Sequence, residues 1–368
     1  MTARLIPFRR PGAGSDEAWR LAQEVLAVPL KDREARSAEL RLDDPETLLA
    51  VLSVLREQLP STPHRILEES RFLYRFLEKP RRPIGLLDER DYFLGEAALL
   101  SGMASRLLAQ REEARRWFDR AEASYRLTVD AVAALSRLSY QRLALDLEER
   151  ELDRVLELAP RLSESFTKLG MVEDALKCRS LEGLALMELG ELGSALTVFG
   201  EICGAASQTS AEQVLASAYV NLVHLHAMRG DTPNALAASR EAIPILKRAG
   251  NRIDLAKIEW GMATLMRKTG QRRAAVDAYR SAQRQFARLG MMADVAAGHL
   301  VIADLDLELG QDQDAMREIL AALPVIDELK MVPEGLAALS LLRESVRQQR
   351  INRQALRDLH GYFEEINT

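Results

Sequence analysis

The chain has 368 residues, 47% hydrophobic and 29% charged, so it can bury an ample core behind a charged surface, which argues against global disorder. A net charge of -5 supplies no overall basic field, and binding of nucleic acid through its phosphates is not expected, although a local basic patch remains compatible. The two cysteines, Cys178 and Cys203, lack CxxC or metal-site spacing and read as buried free thiols, and no stretch approaches the ~20 apolar residues of a membrane span.

In chain order, residues 1–15 carry Arg4, Arg9 and Arg10, but no apolar signal core follows, so this segment reads as a flexible tail and a cytoplasmic location is expected. Apolar spacing predicts helices over 15–28, 45–59 and 63–77. The run Lys79-Pro-Arg-Arg-Pro-Ile-Gly reads as a loop. These segments, 16–87, lack the repeat described next and are expected to form a helical cap closing the first repeat, with a separate partner-binding module as the alternative.

From 88 to 368 the chain repeats. Gly190, Gly230, Gly270 and Gly310 stand forty residues apart, and each is followed five residues later by Ala195, Ala235, Ala275 or Ala315. Phe199, Tyr279 and Ile319 follow at the next helical step, with Ser239 as the exception. One period back lies Arg150, and a further step with a one-residue shift reaches Ala109, Ala114 and Phe118. One period forward reaches Arg350, Ala355 and Leu359. A second ladder, Leu169-Gly170-Met171, Gly250, Leu289-Gly290-Met291 and the weaker Leu329-Lys330-Met331, falls between the rungs of the first, so each period holds two helices. Glycine after an apolar-periodic run is the residue that adopts a left-handed cap. Between caps the pattern is helical, as over 174–189, where Ala175, Cys178, Leu181, Ala185 and Leu189 recur at three- and four-residue steps, and over 192–203.

Gly183, Gly190, Ala195 and Phe199, with Tyr279 and Ala282 after Gly270 and Ala275, resemble the glycine, turn-glycine, alanine and aromatic positions of the tetratricopeptide repeat. The period exceeds the usual length of about 34 residues, so the extra residues belong to longer helices or to the loops around Gly170 and Gly290. The resemblance implies an all-α, right-handed α-solenoid of antiparallel helix pairs, in which the first helix of each pair lines a concave groove. Carrying over the groove-facing positions of the family gives Tyr140 and Gln141, Lys177, Asn221 and His224, and Lys257, Trp260 and Arg267 as candidate partner contacts. Trp260 is the sharpest of them, with packing against a neighbouring repeat as the alternative, and the cations have ordinary solvated charge as theirs. The family's carboxylate clamp is incomplete, because its asparagine positions hold Leu184 and His224.

Chemistry is sparse. His224 and His226, two apart on a helix, point to different sides and cannot share an ion. The acidic run Asp304, Asp306, Glu308, Asp312 and Asp314 fails as a calcium loop because its glycine comes late and Ala315 replaces the final glutamate. It reads instead as the end of one helix and a solvated acidic start to the next. Gly12-Ala-Gly-Ser lacks the lysine of a phosphate loop. No catalytic motif appears, and neither metal nor cofactor is implied. The sequence therefore points to a non-enzymatic scaffold or adaptor of bacterial type that holds a peptide segment or protein in its groove. Two alternatives stand beside it: a peptide-responsive sensor, resembling long-repeat bacterial regulators, and an array subunit that positions a catalytic partner. The N-terminal helices show no clear basic recognition helix, which disfavours direct DNA binding.

Overall fold

The computed structural model describes residues 16–59, 62–79, 84, 89–128, 131–327, 342, 351 and 353–366. The expectations for residues 1–15, for the loop at 80–83 and 85, for Leu329-Lys330-Met331 and for Arg350 lie outside them. All regular structure among the described residues is helical. In order the helices are α1 (Asp16–Ala27), α2 (Leu30–Arg33), α3 (Pro45–Gln58), α4 (Pro63–Glu78), α5 (Arg90–Leu107), α6 (Arg111–Tyr125), α7 (Val132–Glu148) and α8 (Leu152–Lys168). They continue with α9 (Val172–Glu188), α10 (Leu192–Ala206), α11 (Glu212–Met228), α12 (Thr232–Ala249), α13 (Arg252–Lys268), α14 (Arg272–Arg288), α15 (Met292–Glu308), α16 (Asp312–Asp327) and α17 (Arg353–Ile366). The three predicted N-terminal helices are α1, α3 and α4.

The glycine ladder is a ladder of helix ends. Gly170, Gly190, Gly230, Gly250, Gly270, Gly290 and Gly310 all have φ between 67° and 81°, the left-handed region. At each such end the following residue reaches back over the last turn: Glu191 N–H donates to Leu186 O at 2.9 Å, and Gln271 N–H to Met266 O at 2.8 Å. Connectors such as 189–191, 269–271 and 289–291 are consequently three residues long, and the extra length of the period lies in the helices. The weaker rungs obey the same geometry without glycine. Ala109 has φ 54° and Arg150 φ 62°, and Gln110 N–H donates to Ser105 O at 2.9 Å. Left-handed backbone strains a residue with a Cβ, so Ala109→Gly is expected to raise stability by about 1 kcal/mol, read as a higher denaturation midpoint at unchanged slope.

The alanine ladder packs these turns. Ala114, Ala195, Ala235, Ala275 and Ala315 are fully buried, as are Phe118, Phe199 and Ile319. Within a pair, a glycine on the first helix receives an aromatic ring from the second. A methyl group at Gly183 would sit 2.7 Å from the Phe199 ring, and Gly102 and Gly95 meet Phe118 and Tyr125 in the same way.

The chain divides into two compact units, the first comprising Met1–Glu149 and Lys168–Gly170, the second Arg150–Thr167 and Met171–Thr368. In the first unit one core runs from Ala22 on α1 through Leu55, Phe76, Phe93 and Phe118 to Leu145 on α7. The sequence division at 87/88 leaves no break in this core, because α4 packs directly on α5. A carboxylate fastens the join. Glu96 of α5, 0% exposed, accepts from Arg56 Nη2 of α3 at 2.7 Å, from Arg137 Nη2 of α7 at 3.1 Å and from the Tyr125 hydroxyl of α6 at 2.8 Å. A second buried pair, Arg33 and Glu69, ties α2 to α4, with Arg33 Nε also donating to Val28 O at 2.6 Å.

In the second unit helices pair in sequence from α9 with α10 to α15 with α16, and α11 also packs on α13. Gly261 sits at that crossing, where an added methyl group would meet Val223 at 3.1 Å. Beyond α16, α17 packs on α15, with Ala355, Leu356 and Leu359 buried in the same core.

Candidate functional site

The second unit contains a cleft of about 690 Å³. Its walls come from first helices of successive pairs: Met187 and Glu188 of α9, Asn221 and His224 of α11, Lys257, Trp260, Thr264, Arg267 and Lys268 of α13, and Asp294 and Ala297 of α15. Tyr279 and Phe286 of α14 come through to the floor, and His360 of α17 joins the wall. Five of the eight residues expected from the sequence therefore line one cavity: Asn221, His224, Lys257, Trp260 and Arg267.

The other three do not join them. Tyr140 and Gln141 belong to α7 of the first unit, where Gln141 Oε1 accepts from Arg106 Nη2 at 3.4 Å. Lys177 is not among the residues lining the cleft and is paired along its own helix with Glu173 at 2.8 Å and Asp174 at 3.8 Å, the local-charge alternative.

Trp260 is a floor residue and not an exposed anchor. It is 7% exposed, with its ring edge-on to Tyr279 at 4.7 Å and tilted against Phe286 at 5.9 Å. Thr264 Oγ1 and the Tyr279 hydroxyl lie 2.8 Å apart and complete this apolar base with one polar contact. Above it, Asn221 and Lys257 make no hydrogen bond or ion pair among the described residues, so an amide and an ammonium face the cavity unused.

Arg267 is engaged by the protein itself. Its Nη2 lies 2.5 Å from Asp304 Oδ2 and 3.1 Å from Glu308 Oε1. The acidic run thus splits. Asp304, Asp306 and Glu308 close α15 and Asp312 and Asp314 begin the next helix, as expected, and Asp304 and Asp306 are in addition buried. Burial alone would raise the Asp304 carboxyl, but hydrogen bonds from Arg353 and Arg267 outweigh it and hold it below the usual carboxylate range. Asp306 lacks such bonds, the nearest guanidinium being Arg280 at 3.7 Å, and burial moves it upward.

At the other end of the cleft, burial pushes the Asp294 carboxyl up to about 6, against the opposing pull of Lys257. A carboxyl raised in the folded state adds stability that is complete below its ordinary value and lost as the pH rises through about 6. Asp294→Asn is therefore expected to stabilise the chain by roughly 1–2 kcal/mol at pH 8, allowing for solvent screening in the cleft, and to change nothing at pH 4. Thermal melts at the two pH values check this.

His224 and His226 diverge as their spacing requires: His224 enters the cleft, and Nδ1 of His226 lies 3.2 Å from Asp231 Oδ2 at the turn. Burial, with Asp174 adding to it at Cys178, pushes both thiols up to about 12, so they remain protonated core residues. No described helix is long and apolar enough to cross a membrane.

The sequence did not single out Arg272, Lys268, Asp294 or His360, and it named Glu308 only as part of the acidic run and not as a cleft residue. Arg272 follows directly on the Gly270 turn, and Glu308 stands four residues after Asp304, a spacing that puts both on one helix face. His360 carries no such signal.

The chain is an all-α protein of tetratricopeptide-like helix pairs. No family model and no curated protein matches it. Solved structures do. The Rap conjugation gene regulator of the plasmid pLS20 in complex with the Phr* peptide superposes with a TM-score of 0.59 at 14% identity, covering 95% of each chain. A Rap protein complexed with Competence and Sporulation Factor gives 0.55 at 16%, covering 94% of this chain and 99% of that one. Aspartyl phosphate phosphatase F from Bacillus subtilis gives 0.54 at 13%, covering 100% and 96%. At these identities the likeness is one of fold.

Proposed function

We propose that this chain is a non-catalytic, cytoplasmic adaptor of the tetratricopeptide family that binds an extended peptide segment in the cleft of its second unit. One observation carries the reading: Asn221 and Lys257 make no hydrogen bond or close ion pair among the described residues and stand above a floor of Trp260, Tyr279 and Phe286, in a cavity of about 690 Å³. That volume lies within the range of about 300–1,000 Å³ typical of ligand sites, and its apolar base with a few convergent polar groups is the arrangement that orients a bound chain. An amide both donates to and accepts from a peptide backbone, and the ammonium attracts carboxylate. In this reading α1 to α4 are a cap, supported by the single core that they share with α5 to α7.

A regulatory role is the second reading, in which the peptide is a signal. Two of the similar structures, one of them a conjugation gene regulator, hold the Phr* peptide or Competence and Sporulation Factor, which favours it. The likeness to an aspartyl phosphate phosphatase keeps the array-with-catalytic-partner reading in the test.

The experiment is affinity purification of the full chain at low and moderate salt with identification of bound peptides and proteins by mass spectrometry, repeated with Asn221→Ala/Lys257→Glu. A specific partner that is retained by the wild type and weakened about tenfold or more in the variant is expected, since truncating a central polar contact costs over 1 kcal/mol. A wild-type chain that recovers no partner, or a variant that binds equally well, sinks the reading. Activity assayed in the co-purified complex separates the third reading from a passive adaptor.

A further inference from the structure

The cleft is not electrically even. Around Asp304 and Glu308 stand Arg267 and Arg272 from the α13–α14 pair and Arg353 and Arg357 from α17. Arg353 Nε donates to Asp304 Oδ1 at 3.0 Å and its Nη2 lies 3.5 Å from Glu308, while Arg357 Nε lies 3.4 Å from Asp304 Oδ1 and Arg272 Nε 2.8 Å from Glu308 Oε2. The two carboxylates lie underneath, Asp304 only 5% exposed at its side chain, and the guanidiniums lie outward, Arg357 50% exposed. The hydrogen bonds of Arg267, Arg272 and Arg353 use Nε or Nη2, and no Nη1 of the four arginines donates a hydrogen bond among the described residues. Lys268, beside Arg267 on the cleft wall, makes none either. Four guanidiniums thus meet two carboxylates, and Asp358, one residue beyond Arg357, is held by Gln354 Nε2 at 2.7 Å.

A surplus of positive charge on half-exposed guanidiniums, oriented from below by buried carboxylates, is pre-organised for a planar anion, because a guanidinium fork matches a carboxylate. Arg267 and Arg272 line the cavity that holds the aromatic floor and the Asn221 amide, and Arg353 and Arg357 adjoin them through the shared Asp304 and Glu308; that floor and amide select a peptide over a bare anion. Resting on the peptide-binding reading above, we propose that the ligand is an acidic peptide whose carboxylate, from Asp, Glu or the C-terminus, seats on the layer formed by Arg267, Arg272, Arg353 and Arg357. The bound carboxylate bridges α13 and α17, so the C-terminal helix is part of the specificity surface as well as a cover for the core of α15.

The full chain, immobilised, is presented with a synthetic pool of random heptapeptides with free C-termini and with the same pool amidated, and retained peptides are sequenced by mass spectrometry. Enrichment of Asp, Glu or the free C-terminus of about tenfold over the input is expected, the size of one charge-assisted contact. It is expected to vanish in Arg357→Gln and Arg272→Gln and to return in part in Arg357→Lys, with melting temperatures unchanged, because Asp304 and Glu308 each keep two other arginines. Two results overturn the proposal and leave peptide binding standing: retention without acid preference, or an acid preference that survives in both glutamine variants. Retention of no peptide from either pool overturns this proposal together with the reading beneath it.

Discussion

Glu96→Ala is expected to lower the stability of the first unit by about 3–5 kcal/mol, the cost of removing one partner from a buried ionic cluster. The carboxylate is wholly buried, and four helices converge on it: α5 carries it, and α3, α6 and α7 reach it through Arg56, Tyr125 and Arg137. Without it two guanidiniums face each other across an apolar core and the Tyr125 hydroxyl loses its acceptor. Glu96→Gln keeps the shape and one acceptor oxygen, so a smaller loss of about 2 kcal/mol is expected. Chemical denaturation followed by circular dichroism measures both. The same cluster sets an acid limit. Burial raises the Glu96 carboxyl, but Arg56 and Arg137 with the Tyr125 hydroxyl outweigh it, and its folded value lies below the ordinary one. A lowered carboxyl contributes stability above its unfolded value and loses that contribution as the pH falls through the folded one. The wild-type melting temperature should therefore drop below about pH 4 more steeply than that of Glu96→Gln. Parallel wild-type and Glu96→Gln curves would show that the carboxylate is not the anchor.

Trp260→Ala is expected to cost about 3–5 kcal/mol in the second unit. The ring fills the space between Tyr279 and Phe286, and its loss opens a cavity beneath the cleft that neighbouring backbone, fixed by the Gly270 turn, cannot close. Trp260→Phe restores part of the volume and should recover more than half of the stability. The chain that survives Trp260→Ala should also bind its peptide less well, because the floor of the cleft has gone. Asn221→Ala, which removes only an unengaged amide, is expected to weaken binding at unchanged stability. The contrast between the two variants separates support of the site from contact with the ligand, and equal melting temperatures for wild type and Trp260→Ala would return Trp260 to the surface role that the repeat pattern suggested.

The repeat was legible because it is a local property. A left-handed residue is needed wherever one helix ends and the next begins within three residues, so glycines at 190, 230, 270 and 310 mark helix ends without any knowledge of the packing. The alanines five residues later and Phe199 or Ile319 beyond them are buried for an equally local reason, their position on the face of the second helix that meets the first. Even the rungs that lack glycine, Arg150 at the forty-residue step and Ala109 one residue off it, have the backbone that a helix end demands.

Charge was the part that sequence could not resolve. Glu96 stands in an apolar helix among Gly95, Ala97 and Ala98, and Asp304 and Asp306 alternate with leucines. Those contexts signal burial, but not which guanidinium will answer: the partners of Glu96 lie 40 and 41 residues away and those of Asp304 up to 53. The same distance hid His360, Arg353 and Arg357, whose helix joins the cleft only by packing on α15. The amino-acid sequence by itself determined the helices, their turns and the faces that pack, because each depends on residues a few positions apart. The tertiary structure alone decided that Asn221, His224, Lys257, Trp260 and Arg267 share one cavity while Tyr140, Gln141 and Lys177 do not, and that Trp260 supports the cleft from beneath. Those outcomes depend on which side chains from distant helices fill the same space, and a repeat pattern, being alike in every period, does not contain that choice.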